Sequence, residues 1–284
     1  MKAPPALGIH VIRAARAPAA VVFRRGPSRW WHITRWHLDT GDIQGGAWFH
    51  GTLYPRRCDL SPDGELLYYF ALKSSRREFL GRTGVQTYSA VARVPWLFAL
   101  AAWRELGTWT RGYHFVEGSP EEGEVSIGLP DAGDLGPMMA KRHRLARTDP
   151  LQYDNERRRG WTEHEQCPPR ELSDMWDEQR SVILAKASPD GKRRLVLRDQ
   201  GWEGNVAGQV EGRSPTFELE KGRTTTELTE AVWADWDSVG RLLVVTREGK
   251  LQIRNVESGK LVREVALDPA LPKPRKAPAW AQSW

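Results

Sequence analysis

Residues 231–267 read AVWADWDSVGRLLVVTREGKLQIRNVESGKLVREVAL. Ala231 to Asp235 has the composition of a strand, and Asp237-Ser238-Val239-Gly240 is turn chemistry. Leu242 to Thr246 is a second strand, reversed at Arg247-Glu248-Gly249-Lys250. Leu251 to Val256 alternates as a third, with Leu251, Ile253 and Asn255 on one face. A turn at Glu257-Ser258-Gly259-Lys260 leads into a fourth strand, Leu261 to Leu267. Four short strands joined by three tight, Gly-containing turns predict an antiparallel meander.

Pieces of the same unit recur upstream. Ser61-Pro62-Asp63-Gly64 lies between Arg57-Cys58-Asp59-Leu60 and Glu65-Leu66-Leu67-Tyr68-Tyr69-Phe70. Ser188-Pro189-Asp190-Gly191 lies between Val182 to Ala185 and Arg194 to Leu197. Proline presets φ for the first turn position and glycine supplies the positive φ that ends it, so the tetrapeptide reverses the chain between strands. The third turn has its own echo, since Leu38-Asp39-Thr40-Gly41-Asp42-Ile43 parallels Val256-Glu257-Ser258-Gly259-Lys260-Leu261.

These residues resemble the WD40-like and TolB-like propeller repeats, in which Ser-Pro-Asp-Gly and Ser/Thr-Gly turns return blade after blade. The resemblance covers the C-terminal unit and parts of 19–70 and 180–200. It is poor over 105–175, and Trp176-Asp177 and Trp236-Asp237 fall outside the strand-end position that such a pair occupies in those repeats. The resemblance implies an all-β chain: a β-propeller-like array of four-stranded antiparallel blades, five to seven at roughly 40 residues each. The whole chain, 1–284, is read as one such domain. An open array or a two-sheet protein stays open as an alternative. Between 71 and 180 the turn markers are missing, yet Thr87 to Val94, Leu97 to Trp103, Trp109 to Phe115 and Glu124 to Ile127 still read as strands of one or two degenerate blades. Segment 137–175 is charged and turn-rich and reads as an inserted loop, with a short helix near Ser173 to Arg180 capped by Ser173. The tail 269–284 carries four prolines and reads as extended on the surface.

Composition bounds the function. Hydrophobic residues make up 40% and charged residues 27%, which suits a folded globular chain. The longest apolar run, Val94 to Trp103, contains Pro95 and is far short of a membrane span. Seven Lys or Arg residues precede the first acid, Asp39, but Arg13 and Arg16 interrupt the only apolar stretch a secretory signal could use. Two cysteines, Cys58 and Cys167, give no disulfide framework, so a cytoplasmic location is expected. The net charge is +6, with 32 Arg and 10 Lys against 36 acids. Interspersed acids make that balance a weak footprint for nucleic acid.

No nucleophile elbow, phosphate loop, dinucleotide fingerprint or metalloprotease helix is present, so no catalytic residue is assigned. Glu121, Glu122 and Glu124, with Asp131 and Asp134, lack calcium-loop spacing. His164-x-x-Cys167 lacks the second pair a zinc site needs, and His32, His37 and His50 are loosely spaced, so neither metal nor cofactor is expected. Fourteen tryptophans mostly predict packing between sheets. Trp30 and Trp31 are adjacent, however, so on a strand one of them points away from the core. With Arg29, Arg35 and Trp36 they form the first candidate contact surface, because Trp and Arg dominate interface energetics. The second comprises Arg142, Arg144, Arg157, Arg158 and Arg159 in the inserted segment. The sequence thus points to a non-enzymatic interaction or regulatory module with a protein partner. The alternatives are a hydrolase or lyase with a central-channel site, and nucleic-acid binding through the basic clusters.

Overall fold

Short polar side chains build the reversals. In the computed structural model, Ser61 Oγ donates to Asp63 Oδ1 at 2.6 Å and accepts from Leu66 N at 2.9 Å. Ser188 Oγ likewise donates to Asp190 Oδ1 at 2.6 Å and accepts from Arg193 N at 3.0 Å. In the third copy Asp237 takes the serine's place, and its Oδ1 accepts from Val239 N and Arg241 N. Gly64, Gly191 and Gly240 close these turns at φ of 73°, 68° and 82°. Side-chain acceptors thus satisfy backbone donors that the turn would otherwise orphan. The later turn repeats as well: His37 N donates to Asp42 O, as Asn255 N does to Lys260 O.

The structure describes residues 8–72, 87–105, 107, 112–117, 143–148, 152–168, 181–201, 215–268 and 271–284. These are all-β apart from one short helix and three 3-10 turns. Strands β1 (Ile9–Arg13), β2 (Ala19–Arg25), β3 (Trp30–His37) and β4 (Ile43–His50) form an antiparallel meander. A five-stranded sheet follows, from β5 (Thr52–Leu53), β6 (Asp59–Leu60), β7 (Leu66–Leu72), β8 (Thr87–Arg93) and β9 (Ala101–Arg104). Strands β10 (Tyr113–Glu117) and β11 (His143–Arg147) pair with each other, and α1 spans Asp154–Arg157. A second five-stranded sheet runs β12 (Thr162–Glu163), β13 (Val182–Ala187), β14 (Arg194–Asp199), β15 (Thr216–Lys221) and β16 (Thr224–Glu227). The last meander is β17 (Ala231–Trp236), β18 (Leu242–Thr246), β19 (Lys250–Arg254) and β20 (Leu261–Ala266). No described helix is long and apolar enough to cross a membrane.

The chain divides into two compact units. The first comprises Leu7–Asp149 and Asp268–Trp284, and the second Pro150–Leu267. In the first, the run Leu66–Leu72 is buried on both faces of its sheet. Leu67, Tyr69 and Ala71 join a core with Phe23, Ile33 and Leu60, while Leu66 and Tyr68 join another with Trp103, Tyr113 and Phe115. That split follows the two-residue period of a strand. The second unit is centred on Leu184, Leu195, Phe217, Trp236 and Val244.

Three expectations are corrected. The segment read as an inserted loop over 137–175 supplies β11, α1 and β12, which pair or pack as regular elements. Strand periodicity was masked there by the charges of His143-Arg144-Leu145-Ala146-Arg147. The tail is without regular structure over 271–278 but then docks, with a 3-10 turn at Ala279–Gln282 and Ala281 fully buried in the first unit's core. The strand expected over Leu97 to Trp103 begins only at Ala101. The expected helix near Ser173 to Arg180 and the strand at Glu124 to Ile127 lie outside the described residues, as do Glu121, Glu122, Asp131 and Asp134.

Candidate functional site

Alternation along β3 decides which tryptophan faces where. Trp31 and Ile33 pack toward the first unit's core, so Trp30, His32, Thr34 and Trp36 take the opposite face. That second face is closed at one end and open at the other. Trp36 is 0% exposed and Thr34 1%, whereas Trp30 is only partly buried and its cross-strand neighbour His50 is exposed. Trp36 therefore belongs to the core, not to a contact surface.

The open end carries a cluster of rings. Register places Arg24, His32 and Trp48 side by side across β2, β3 and β4, with Trp30 opposite His50 two pairs further on. His32 lies flat on Trp48, with centroids 4.4 Å apart and planes 9° apart. Trp30 meets His50 at 4.9 Å and stands edge-on to Trp48 at 6.4 Å. Such pairings contribute about 0.5–1.5 kcal/mol each beyond burial. Burial, opposed by the Asp268 charge and assisted by Arg24 and Arg275, lowers the His32 pKa to about 4. At neutral pH His32 therefore supplies a flat, uncharged ring. Arg24, its neighbour on β2, donates to the Asp268 carbonyl, which brings the tail to this end of the sheet.

The β2–β3 connection at the same end is strained. Ser28 (φ 50°) and Arg29 (φ 64°) are consecutive left-handed residues, neither of them glycine. Left-handed non-glycine residues cost about 1–3 kcal/mol each and cluster at functional sites. The Arg29 side chain is exposed next to Trp30 in the chain, and its carbonyl accepts from Gly51 N. Arg25 and Arg29 are exposed and make no ion pair among the described residues.

The other candidates are placed differently. Arg35 is paired with Glu65 at 2.9 Å. Arg144 lies partly buried on β11 opposite Val116, and Arg142 lies outside the described residues. Arg157 pairs with Glu163 at 3.2 Å, Arg158 with Asp154 at 2.8 Å, and Arg159 donates to the Asn155 carbonyl at 3.0 Å. These three brace α1 and its flanks and are engaged within the fold. Sequence reasoning missed Arg24, Arg25, Trp48 and the site role of His32 and His50. The β2–β3 and β3–β4 registers, the second with its bulge between His32 and Thr34, bring them together.

A second cluster is buried. Glu105 Oε1 accepts from Ser89 Oγ at 2.6 Å and from Trp103 Nε1 at 2.9 Å, and Tyr68 Oη meets Ser89 Oγ at 2.7 Å. Burial drives the Tyr68 hydroxyl well above its ordinary range. Asp59 accepts from Phe115 N, and burial pushes the Cys58 thiol up to about 12. Each group is consumed by a neighbour, which ties β6 to β10 together. His164, 4% exposed, lies among Arg194, Glu165 and Glu220 and accepts from Gln166 N at Nδ1. No group of His, Cys, Asp and Glu suited to a metal ion occurs among the described residues.

No protein-family description matches this chain, and no curated protein matches it. Among solved structures it is similar to a candidate 6-phosphogluconolactonase from Bacteroides fragilis. That match has 11% identity and a TM-score of 0.34, covering 93% of this chain and 96% of that one. It is also similar to the Swd1 β-propeller domain of Myceliophteria thermophila, at 11% identity and a TM-score of 0.21 over 92% of this chain and 59% of that one. The β-propeller domain of the Trilobed protease from Pyrococcus furiosus gives 11% identity and 0.21 over 88% and 66%. The chain thus spans about two thirds or less of the two propeller chains. At these scores the likenesses assign neither activity nor partner.

Proposed function

We propose that the chain is a non-enzymatic interaction or regulatory module that binds another protein through the ring-bearing end of the first sheet, and that its sheets are blades of a propeller-like array. The observation that carries the contact surface is the open end of β2–β4. There Trp30, Trp48 and His50 share one sheet face, and Arg29, exposed in a strained turn, is next to Trp30 in the chain. Aromatic and arginine side chains at a partly exposed site have the composition of an interface centre. The buried acids described above are taken up by hydrogen bonds that hold strands together, which favours a binding role over a catalytic one. Recurrence of the Ser61, Ser188 and Asp237 turns supports the blade reading.

The test is paired affinity purification from the native host with the tagged protein and its Trp30→Ala/Arg29→Glu variant. A stoichiometric protein partner is expected with the first and not with the second, at matching circular dichroism. A partner retained by the variant would move the surface elsewhere, and a clean monomer would sink the reading.

A further inference from the structure

Charge is unevenly shared between the two units. The first, Leu7–Asp149 with Asp268–Trp284, carries 22 Lys and Arg against 15 Asp and Glu, whereas 150–267 carries 19 against 21. Ion pairing varies from place to place and does not divide by unit: Arg35 of the first unit is paired, while Lys221, Arg223, Arg247 and Lys260 of the second are exposed and have no ion-pair partner among the described residues. In the second unit Arg157, Arg158, Lys186, Arg193, Arg194, Arg198, Arg241 and Arg254 all sit in ion pairs. In the first unit, Arg25 and Arg29 at the β2–β3 turn and Lys273, Arg275 and Lys276 on the tail are exposed, and none has an ion-pair partner among the described residues. The tail reaches this end of the sheet, because Arg24 holds the Asp268 carbonyl. The charge of Arg275 is felt by His32.

We infer that the ring-bearing end of the first sheet takes an acidic, extended polypeptide segment, with carboxylates on Arg25, Arg29 and the tail cations and an apolar side chain against Trp30 and Trp48. This rests on the contact surface proposed above and names its partner's chemistry. Unpaired, exposed cations around an aromatic island attract a complementary anion, raising the association rate and fixing register. A peptide fits this island better than a nucleic acid does. His32 is 9% exposed and already stacked on Trp48, so that pair offers no gap for an unstacked base.

The experiment is fluorescence anisotropy with the full chain and three labelled probes of equal length. These are a peptide alternating Glu with Leu and Phe, its Gln counterpart, and oligo-dT. The Glu peptide is expected to bind, weakening steeply between about 50 and 300 mM salt. Arg25→Glu/Arg29→Glu is expected to cost roughly tenfold or more in affinity. Trp30→Ala is expected to weaken binding without changing the salt slope. Equal binding of the Gln peptide, or tighter binding of oligo-dT, would overturn the acidic-segment inference. So would no binding of any probe. The affinity purification described above reads the surface whatever its partner's charge, so failure here with a Trp30-dependent partner there separates the two readings.

Discussion

His32 shows what a single side chain does at the open end of the sheet. Its pKa of about 4, against an ordinary 6.5, means the folded protein holds this ring neutral where the unfolded chain would protonate it. The sign follows from linkage. Above about pH 6.5 neither state binds the proton, and stability is unaffected. Between 6.5 and 4 only the unfolded state binds it, so stability falls as pH falls, by about 2–3 kcal/mol in all. His32→Phe keeps a flat ring on Trp48 and cannot titrate. Urea denaturation of both proteins across this range is expected to give similar midpoints at pH 7 and a shallower decline for the variant below 6.5. Parallel declines would place the titrating group elsewhere. The neighbouring Ser28-Arg29 turn belongs to the same scale. Asn-Gly is the pair such left-handed positions favour, so the Ser28→Asn/Arg29→Gly exchange is expected to raise the melting temperature while removing a binding cation.

At the scale of the element, the turn is the independent unit. Ser61 and Ser188 each link a donor and an acceptor inside a nearly sealed turn, being 0% and 4% exposed. Replacing either with alanine leaves a backbone N–H without its hydroxyl acceptor, at a cost of about 1–3 kcal/mol. Ser61→Ala is expected to speed amide exchange in β6 and β7, and Ser188→Ala in β13 and β14, with neither affecting the other's strands. Exchange that spreads between the two would mean the turns do not stabilise their hairpins locally. These turns are also why much of the fold was legible in the sequence. Gly, Pro, Asp and Ser at fixed offsets act over a few residues, so β13, β14 and β17 to β20 could be read from local chemistry alone. The strand β11 could not. Its pairing with β10 depends on residues 113–117, which a local reading of a charged segment cannot supply. The site was legible only in part for a related reason. Adjacent Trp30 and Trp31 guarantee one outward ring, but the partners Trp48 and His50 follow from the β3–β4 register. Trp36 was misread because outward parity does not imply exposure.

Across the whole molecule, the chain returns to finish what it started. Residues 268–284 belong with the first unit although 150–267 separate them from it in sequence. Ala281 is 0% exposed in the core with Val94 and Trp96, and Trp284 packs against the cluster of Tyr68, Trp103 and Tyr113. Arg93 Nε donates to the Ser283 carbonyl at 2.9 Å, fastening the tail to β8. The tail thus links two of the first unit's clusters and carries three of the unpaired cations. Removing residues 277–284 should uncover both clusters, at a cost on the order of 3 kcal/mol from lost apolar burial. Hydrogen exchange is the suitable measurement because it reads each region separately. Protection is expected to fall in β7, β8 and β9 and to stay unchanged over 182–254. Ala281→Leu, which overfills the same pocket, is expected to act in the same direction by about 1–3 kcal/mol, and both variants leave Lys273, Arg275 and Lys276 in the chain. If both variants lose protection in β7 to β9 and both lose acidic-peptide affinity, the docked turn serves to hold the tail's cations near the rings; if both lose protection but keep that affinity, it does not. If neither loses protection there, the tail is not part of the first unit's stability.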